Sequence, residues 1–361
     1  MITKPADPQS GYHGCASIQG ESELPKAHGP RTSLLATLLL AGNLLAAASF
    51  AAVGYQQVTI PDRGGKSMQA GIWYPSNTQP VAHPLGMFTQ EVALNGPVAG
   101  QGLPLVLISH GTGGSLSSHI DTANALARAG FVVVAVTHEG DNTQDQSYAG
   151  NRIDLIDRPR QAKAALDWVL SSWPGRLNLN PRRVGVFGFS LGGFTSLVLI
   201  GGTPEIARMA QLCNSTPGAP ECAFIKNANG DQLSPSTEAP IWVHDARIKA
   251  AVIAAPAASY LFGPGDLREV SVPIQLWRVE NDSQAPDAWN GAVVRDNLKV
   301  HPDSHLVQGA DHFVFLAPCS EALAAAAAQI CRDAAGFDRA AFHRAFNQSV
   351  VDFFTTNLRD R

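Results

Sequence analysis

Read from its amino end, the chain sorts into short apolar runs separated by polar, glycine- and proline-rich punctuation. Residues 55–60 and 67–74 alternate polar and apolar positions around Asp62-Arg63-Gly64-Gly65. That pattern predicts a β-hairpin with one solvated face. Residues 75–102, rich in Pro, Gly and Asn, predict a loop. Leu103–Ser109 is then apolar throughout, as expected of a strand buried on both faces. A helix is predicted over 118–129 and a buried strand over 131–137. Residues 158–171 place Ala162, Ala165, Leu166, Val169 and Leu170 at helical spacing. A strand over 183–189 runs through a glycine-rich turn into an apolar helix over 194–200. Strands over 247–254 and 273–279, a last short one over 304–307, and helix over 318–358 with a break at Gly336 complete the pattern. Strands alternating with helices in this way predict an α/β fold, a mostly parallel sheet covered on both faces. Residues 201–245 break the rhythm. An insertion there, directly after the apolar helix, is either a lid over a site or a surface elaboration.

Composition narrows the class. A chain of 361 residues, 45% hydrophobic and 16% charged, suits one large domain with a sizeable core. A net charge of −4 supplies no basic field, so nucleic acid is not an expected partner. Residues 1–51 read as a leader outside the fold. Lys26, His28 and Arg31 precede the apolar run 34–48, and Ser49-Phe50-Ala51 is a plausible cleavage triplet, the arrangement of a secretory signal. The rival reading is a retained membrane anchor, because the apolar stretch to Val53 is nearly long enough to span; Gly42, Asn43 and Ser49 weaken it. The domain then occupies 52–361, exported to the periplasm or beyond, with no stable membrane insertion after cleavage. Four cysteines remain in it, Cys213, Cys222, Cys319 and Cys331. An even count in an exported chain points to disulfides, and four cysteines allow three connectivities. Cys213–Cys222 with Cys319–Cys331 is expected, since each would clip one local segment.

The candidate chemistry centres on Gly188-x-Ser190-x-Gly192. A serine at a tight strand-to-helix turn is pushed outward beside the N–H groups of a helix N-terminus, and becomes a nucleophile if a base is within reach. The base and its orienting acid are expected downstream in the order acid, then histidine, each in a loop after a strand. Among His244, His301, His305, His312 and His343, only His312 follows the last short strand and precedes the C-terminal helices. His301 and His305 share a polar loop and His343 lies on a helix, so these are read as solvated or capping residues. Asp282, beyond the strand 273–279 and ahead of Pro286, is the expected acid, with Glu280 its rival. The strand 247–254 ends in alanines and offers none. Negative charge building on a carbonyl oxygen needs donors; the N–H of Leu191 is one, and that of Thr112, in His110-Gly111-Thr112-Gly113-Gly114, is the other. His110 is read as structural. His138-Glu139-Gly140-Asp141 mixes imidazole and carboxylates, but no second cluster with ligand spacing accompanies it. It is read as loop or pocket rim, and neither metal nor cofactor is expected.

Together the segments 109–114, 188–193 and 309–315 resemble those of the α/β-hydrolases. More closely they are similar to exported bacterial predicted dienelactone hydrolases, and through these to platelet-activating-factor acetylhydrolases, over the whole of 55–361. The resemblance implies the α/β-hydrolase fold and hydrolysis of a small-molecule or lipid ester by Ser190, Asp282 and His312. Two departures limit it. Dienelactone hydrolases proper carry a cysteine where Ser190 stands, and the acetylhydrolases place their acid after an earlier strand, where this chain has only alanines. A peptidase or amidase with the same three residues, and a silent binding protein of the same fold, are the alternatives.

Overall fold

The computed structural model describes residues 52–222 and 240–358. The leader, its cleavage triplet and part of the 201–245 insertion lie outside them. Ten strands form a sheet in the order β10-β9-β8-β7-β5-β6-β2-β1-β4-β3. They are β1 (Ala52–Pro61), β2 (Ser67–Ser76), β3 (Val81–Leu85), β4 (Phe88–Leu94), β5 (Leu103–Ser109), β6 (Val132–Val136), β7 (Leu179–Phe189), β8 (Ile248–Ala254), β9 (Ile274–Val279) and β10 (Asp303–Val307). From β10 through β6 every neighbouring pair is parallel, while β2 runs antiparallel to both β6 and β1.

The continuous apolar runs follow from this position. Every residue of β5 and β6 is buried, because helices cover both faces. Successive side chains point to opposite faces. Leu105, Leu107, Val132 and Val134 therefore join the core built with α2 (Arg152–Ser171) and α3 (Leu191–Leu199). Val106, Ile108, Val133 and Ala135 join a second core with α1 (Ile120–Arg128) and the C-terminal helix Arg339–Asn357. Among the described residues no helix is long and apolar enough to cross a membrane.

Three readings of local pattern need correction. The stretch 75–102 is not a loop: it holds β3 and β4, paired antiparallel, and β4 lies beside β1. Its alternation is masked because a buried position carries Gln90, whose amide oxygen accepts from the Trp73 indole at 2.8 Å. The hairpin's solvated face exists only near its turn, since Trp73 and Tyr74 of β2 are both fully buried. Finally, α2 starts at Arg152, six residues before the predicted helix (158 − 152), and carries Pro159 inside it. Proline usually marks a first turn; here it stands inside the helix, with a full turn and more ahead of it. The insertion contains a further helix, α4 (Arg208–Ser215), and the disulfides Cys213–Cys222 and Cys319–Cys331 are both formed.

Candidate active site

Ser190 stands between the end of β7 and the start of α3 with φ 55° and ψ −121°. A non-glycine residue at positive φ carries roughly 1–3 kcal/mol of strain, which persists only when the surroundings enforce it. Here they do. Ser190 N donates to Ala254 O at 3.0 Å, while its carbonyl accepts from Gly193 N at 2.8 Å and Ala257 N at 3.0 Å. The two flanking glycines are required by close approach. A Cβ on Gly188 would lie 2.0 Å from Gly192 O, and one on Gly192 would lie 2.0 Å from Ser109 O. The alanines after β8, which offered no acid, thus serve as the bed of the elbow.

His312 opens a short 3-10 turn, His312–Phe315, after β10. Its Nε2 lies 2.9 Å from Ser190 Oγ and its Nδ1 lies 2.8 Å from Asp282 Oδ2. The second carboxylate oxygen of Asp282 accepts from Gln284 N at 3.0 Å and Ala285 N at 2.6 Å. With its oxygens so used, Asp282 fixes Nδ1 as the protonated nitrogen and leaves Nε2 to accept from the serine. All three side chains are buried, with Ser190 8% exposed, Asp282 8% and His312 2%.

The other acids and histidines near these turns make different contacts. Glu280 accepts from Gly309 N at 2.9 Å, and Asp311 accepts from Ser283 N at 2.8 Å and His312 N at 2.7 Å, so both carboxylates shape the turn that carries His312. The backbone hydrogen bonds hold Asp311 below the usual carboxylate range although burial opposes them. His305 is on β10 rather than in a loop, stacked on Trp277 at 4.1 Å. His343 is neither solvated nor a cap. It is 2% exposed, with Nδ1 2.6 Å from Asp121 Oδ2 and Nε2 2.7 Å from Val314 O. Burial raises the Asp121 carboxyl, but bonds from His343 and Asn347 outweigh it and hold the group below its ordinary value.

Behind the loop of Thr112 lies a buried polar scaffold: the segment 138–141 is a loop, as expected, but it lies outside the cavity lining rather than on its rim. Asp141 and Arg158 are both fully buried and joined at 2.5 Å. Asp141 also accepts from Gly113 N at 2.7 Å, and Arg158 donates to His110 O and, at 3.3 Å, to Thr195 Oγ1. His138 N donates to His110 Nε2 at 3.0 Å, which fixes the His110 proton on Nδ1, toward Gly111 O. Burial, then the Arg158 charge, pushes His110 and His138 far below the usual imidazole range, so both are neutral.

Thr112 and Leu191 line one cavity with Ser190 and His312, of about 350 Å³. Its other walls include Asp154 of α2, Met209 of α4, Glu221 at the end of the described part of the insertion, Tyr260, Phe313 and Ile330. Of these wall residues only Phe313 sits in a motif. Burial, reinforced by the Asp141 carboxylate and opposed by Arg158, pushes Asp154 far above the usual carboxylate range.

The comparisons with known proteins agree with this architecture. The family model described as "Dienelactone hydrolase family" matches residues 91–247. Among solved structures, a ferulic acid esterase from Streptomyces cinnamoneus superposes with a TM-score of 0.56 at 16% identity, covering 87% of this chain and 93% of that one. No curated protein sequence matches the chain. The ten-stranded sheet with its covering helices gives the chain the α/β-hydrolase fold, and its residues 91–247 are similar to the dienelactone hydrolase family.

Proposed function

We propose that this carboxylic ester hydrolase works through Ser190 as nucleophile, His312 as general base and acid, and Asp282 as its orienting carboxylate. The observation that carries the reading is the unbroken chain Asp282 Oδ2–His312 Nδ1 at 2.8 Å and His312 Nε2–Ser190 Oγ at 2.9 Å. His312 takes the serine proton as Oγ attacks the ester carbonyl, and Asp282 stabilises the imidazolium that forms. The tetrahedral oxyanion is met by the N–H groups of Thr112 and Leu191. His312 then protonates the leaving alcohol, and water cleaves the acyl-enzyme by the same steps in reverse. In this reading the buried Asp141–Arg158 pair keeps the Thr112 loop in place.

Ester hydrolysis is favoured over peptide hydrolysis by the family match and by the ferulic acid esterase among the structural neighbours. Paired para-nitrophenyl ester and peptide para-nitroanilide panels separate the two. Labelling by a fluorophosphonate probe, abolished in Ser190→Ala, tests the nucleophile and the silent-binder alternative together. Retained ester turnover in Ser190→Ala sinks the assignment. Export is part of the proposal, supported by the two disulfides and the apolar run 34–48 behind a basic flank. N-terminal sequencing of the protein recovered from the periplasm or medium tests it.

A further inference from the structure

Resting on that reading, the inference concerns which esters the cavity admits. Among its described lining residues none is Lys or Arg, while Glu221 is a carboxylic acid and Asp154 is another. Glu221 is held firmly by one oxygen only. Its Oε1 accepts from Trp289 Nε1 at 2.9 Å and from Asn290 Nδ2 at 2.8 Å. Its Oε2 is buried and has no hydrogen-bond partner among the described residues. Nearly every buried polar atom of a folded protein finds a partner, so this orphaned carboxylate oxygen leaves the negative end of Glu221 only partly compensated within the wall. The adjoining Cys213–Cys222 disulfide fixes the backbone of this wall, and Asn290 also clamps Ser259 N at 3.0 Å, beside Tyr260 of the same cavity. The Glu221 charge is thus built into the wall rather than trailing in solvent.

We propose that Glu221 is the specificity-determining residue of this site, admitting esters whose acyl or alcohol part is neutral, donor-bearing or cationic and excluding those that bring a carboxylate into the cavity. A second negative charge entering such a space finds no described cation in the walls to meet it, in a medium where charges interact more strongly than in water. A positive group entering the same space meets carboxyl groups and no described cation.

The test uses the intact protein and three para-nitrophenyl esters of matched length: pentanoate, glutarate with one carboxyl free, and γ-trimethylammonio-butyrate. In the wild type, kcat/KM for the glutarate half-ester is expected about ten-fold or more below pentanoate, with the cationic ester equal to or above pentanoate. Glu221→Gln keeps the shape and removes the charge, and should bring the anionic ester to within about three-fold of pentanoate. Equal use of the anionic and neutral esters by the wild type, or an unchanged gap in a folded Glu221→Gln, overturns the proposal. If that variant does not fold, the wild-type gap is compared at about 0.02 M and about 0.5 M salt. A gap that shrinks supports the electrostatic origin, and one that stays assigns discrimination to shape and overturns it. Absence of both turnover and fluorophosphonate labelling in the wild type would instead remove the catalytic reading beneath it.

Discussion

At the residue scale the site is a set of enforced conformations. Ser190 is held at φ 55° by hydrogen bonds from neighbouring backbone and by glycines that leave no room for a methyl group. Gly192→Ala would push a Cβ into Ser109 O, a backbone atom that cannot step aside. The expected outcome is loss of several kcal/mol of stability, on the order of an overpacked core site or more, read as a large drop in Tm or failure to fold. Asp282→Asn tests a different property. The amide can no longer hold His312 in the tautomer that accepts from Ser190, so kcat should fall on the order of 10³–10⁴-fold while Tm and KM change little. A Tm loss matching the activity loss would show that Asp282 matters for folding instead.

At the scale of elements, the base sits on a short turn that would be loose without outside support. His343 of the C-terminal helix and His119 beside α1 reach the carbonyls of Val314 and Phe315, at 2.7 Å and 3.1 Å, and Ala317 N donates to Ser118 O at 3.0 Å. These bonds tie the turn of His312 to the start of α1, which follows the loop of Thr112. His343→Ala should therefore slow fluorophosphonate labelling of Ser190 about ten-fold or more, and His343→Gln, which keeps one donor, should recover part of it. Labelling at the wild-type rate in a folded His343→Ala would remove its positioning role. The two disulfides act on the other walls, since Glu221 adjoins Cys222 and Ile330 adjoins Cys331. Reduction should raise KM for a short-chain ester several-fold, because the wall residues gain freedom that must be lost again on binding. An unchanged KM after complete reduction, confirmed by thiol titration, would show the walls stand without them.

For the whole molecule, buried neutral imidazoles set the response to acid. Burial holds His119 down at about 4, from 6.5, and pushes His110 and His138 well below their ordinary value too. Unfolding frees these rings to bind protons, so the unfolded chain holds more protons and stability rises with pH in that window. His119 alone contributes on the order of 3 kcal/mol, fully present above pH 6.5 and lost as pH falls toward 4. Asp154 works in the opposite sense, being protonated when folded and losing stability as pH rises past the ordinary carboxylate value. Three imidazoles against one carboxyl predict a net fall in Tm between pH 6.5 and pH 4, checked by calorimetry, with proton uptake on unfolding. A Tm that is flat or rises on acidification would contradict it.

The division between what was legible and what was not follows from the range of the forces involved. Periodicity and punctuation depend on residues a few positions apart, so the amino-acid sequence by itself determined the buried strands β5 to β9, the elbow glycines around Ser190, and the expectation that an acid and a histidine lie in loops after later strands. The same local signals misread β3 and β4, where a buried glutamine answers a distant indole, and the start of α2, where helix runs ahead of Pro159. Only the tertiary structure decided which histidine is solvent and which is brace, that His138 and Asp141 lie beneath the Thr112 loop rather than at a rim, and which side chains wall the cavity. Asp154, Met209, Glu221 and Ile330 come from four separate segments, and no pattern along a chain records a meeting that exists only after the chain has closed on itself.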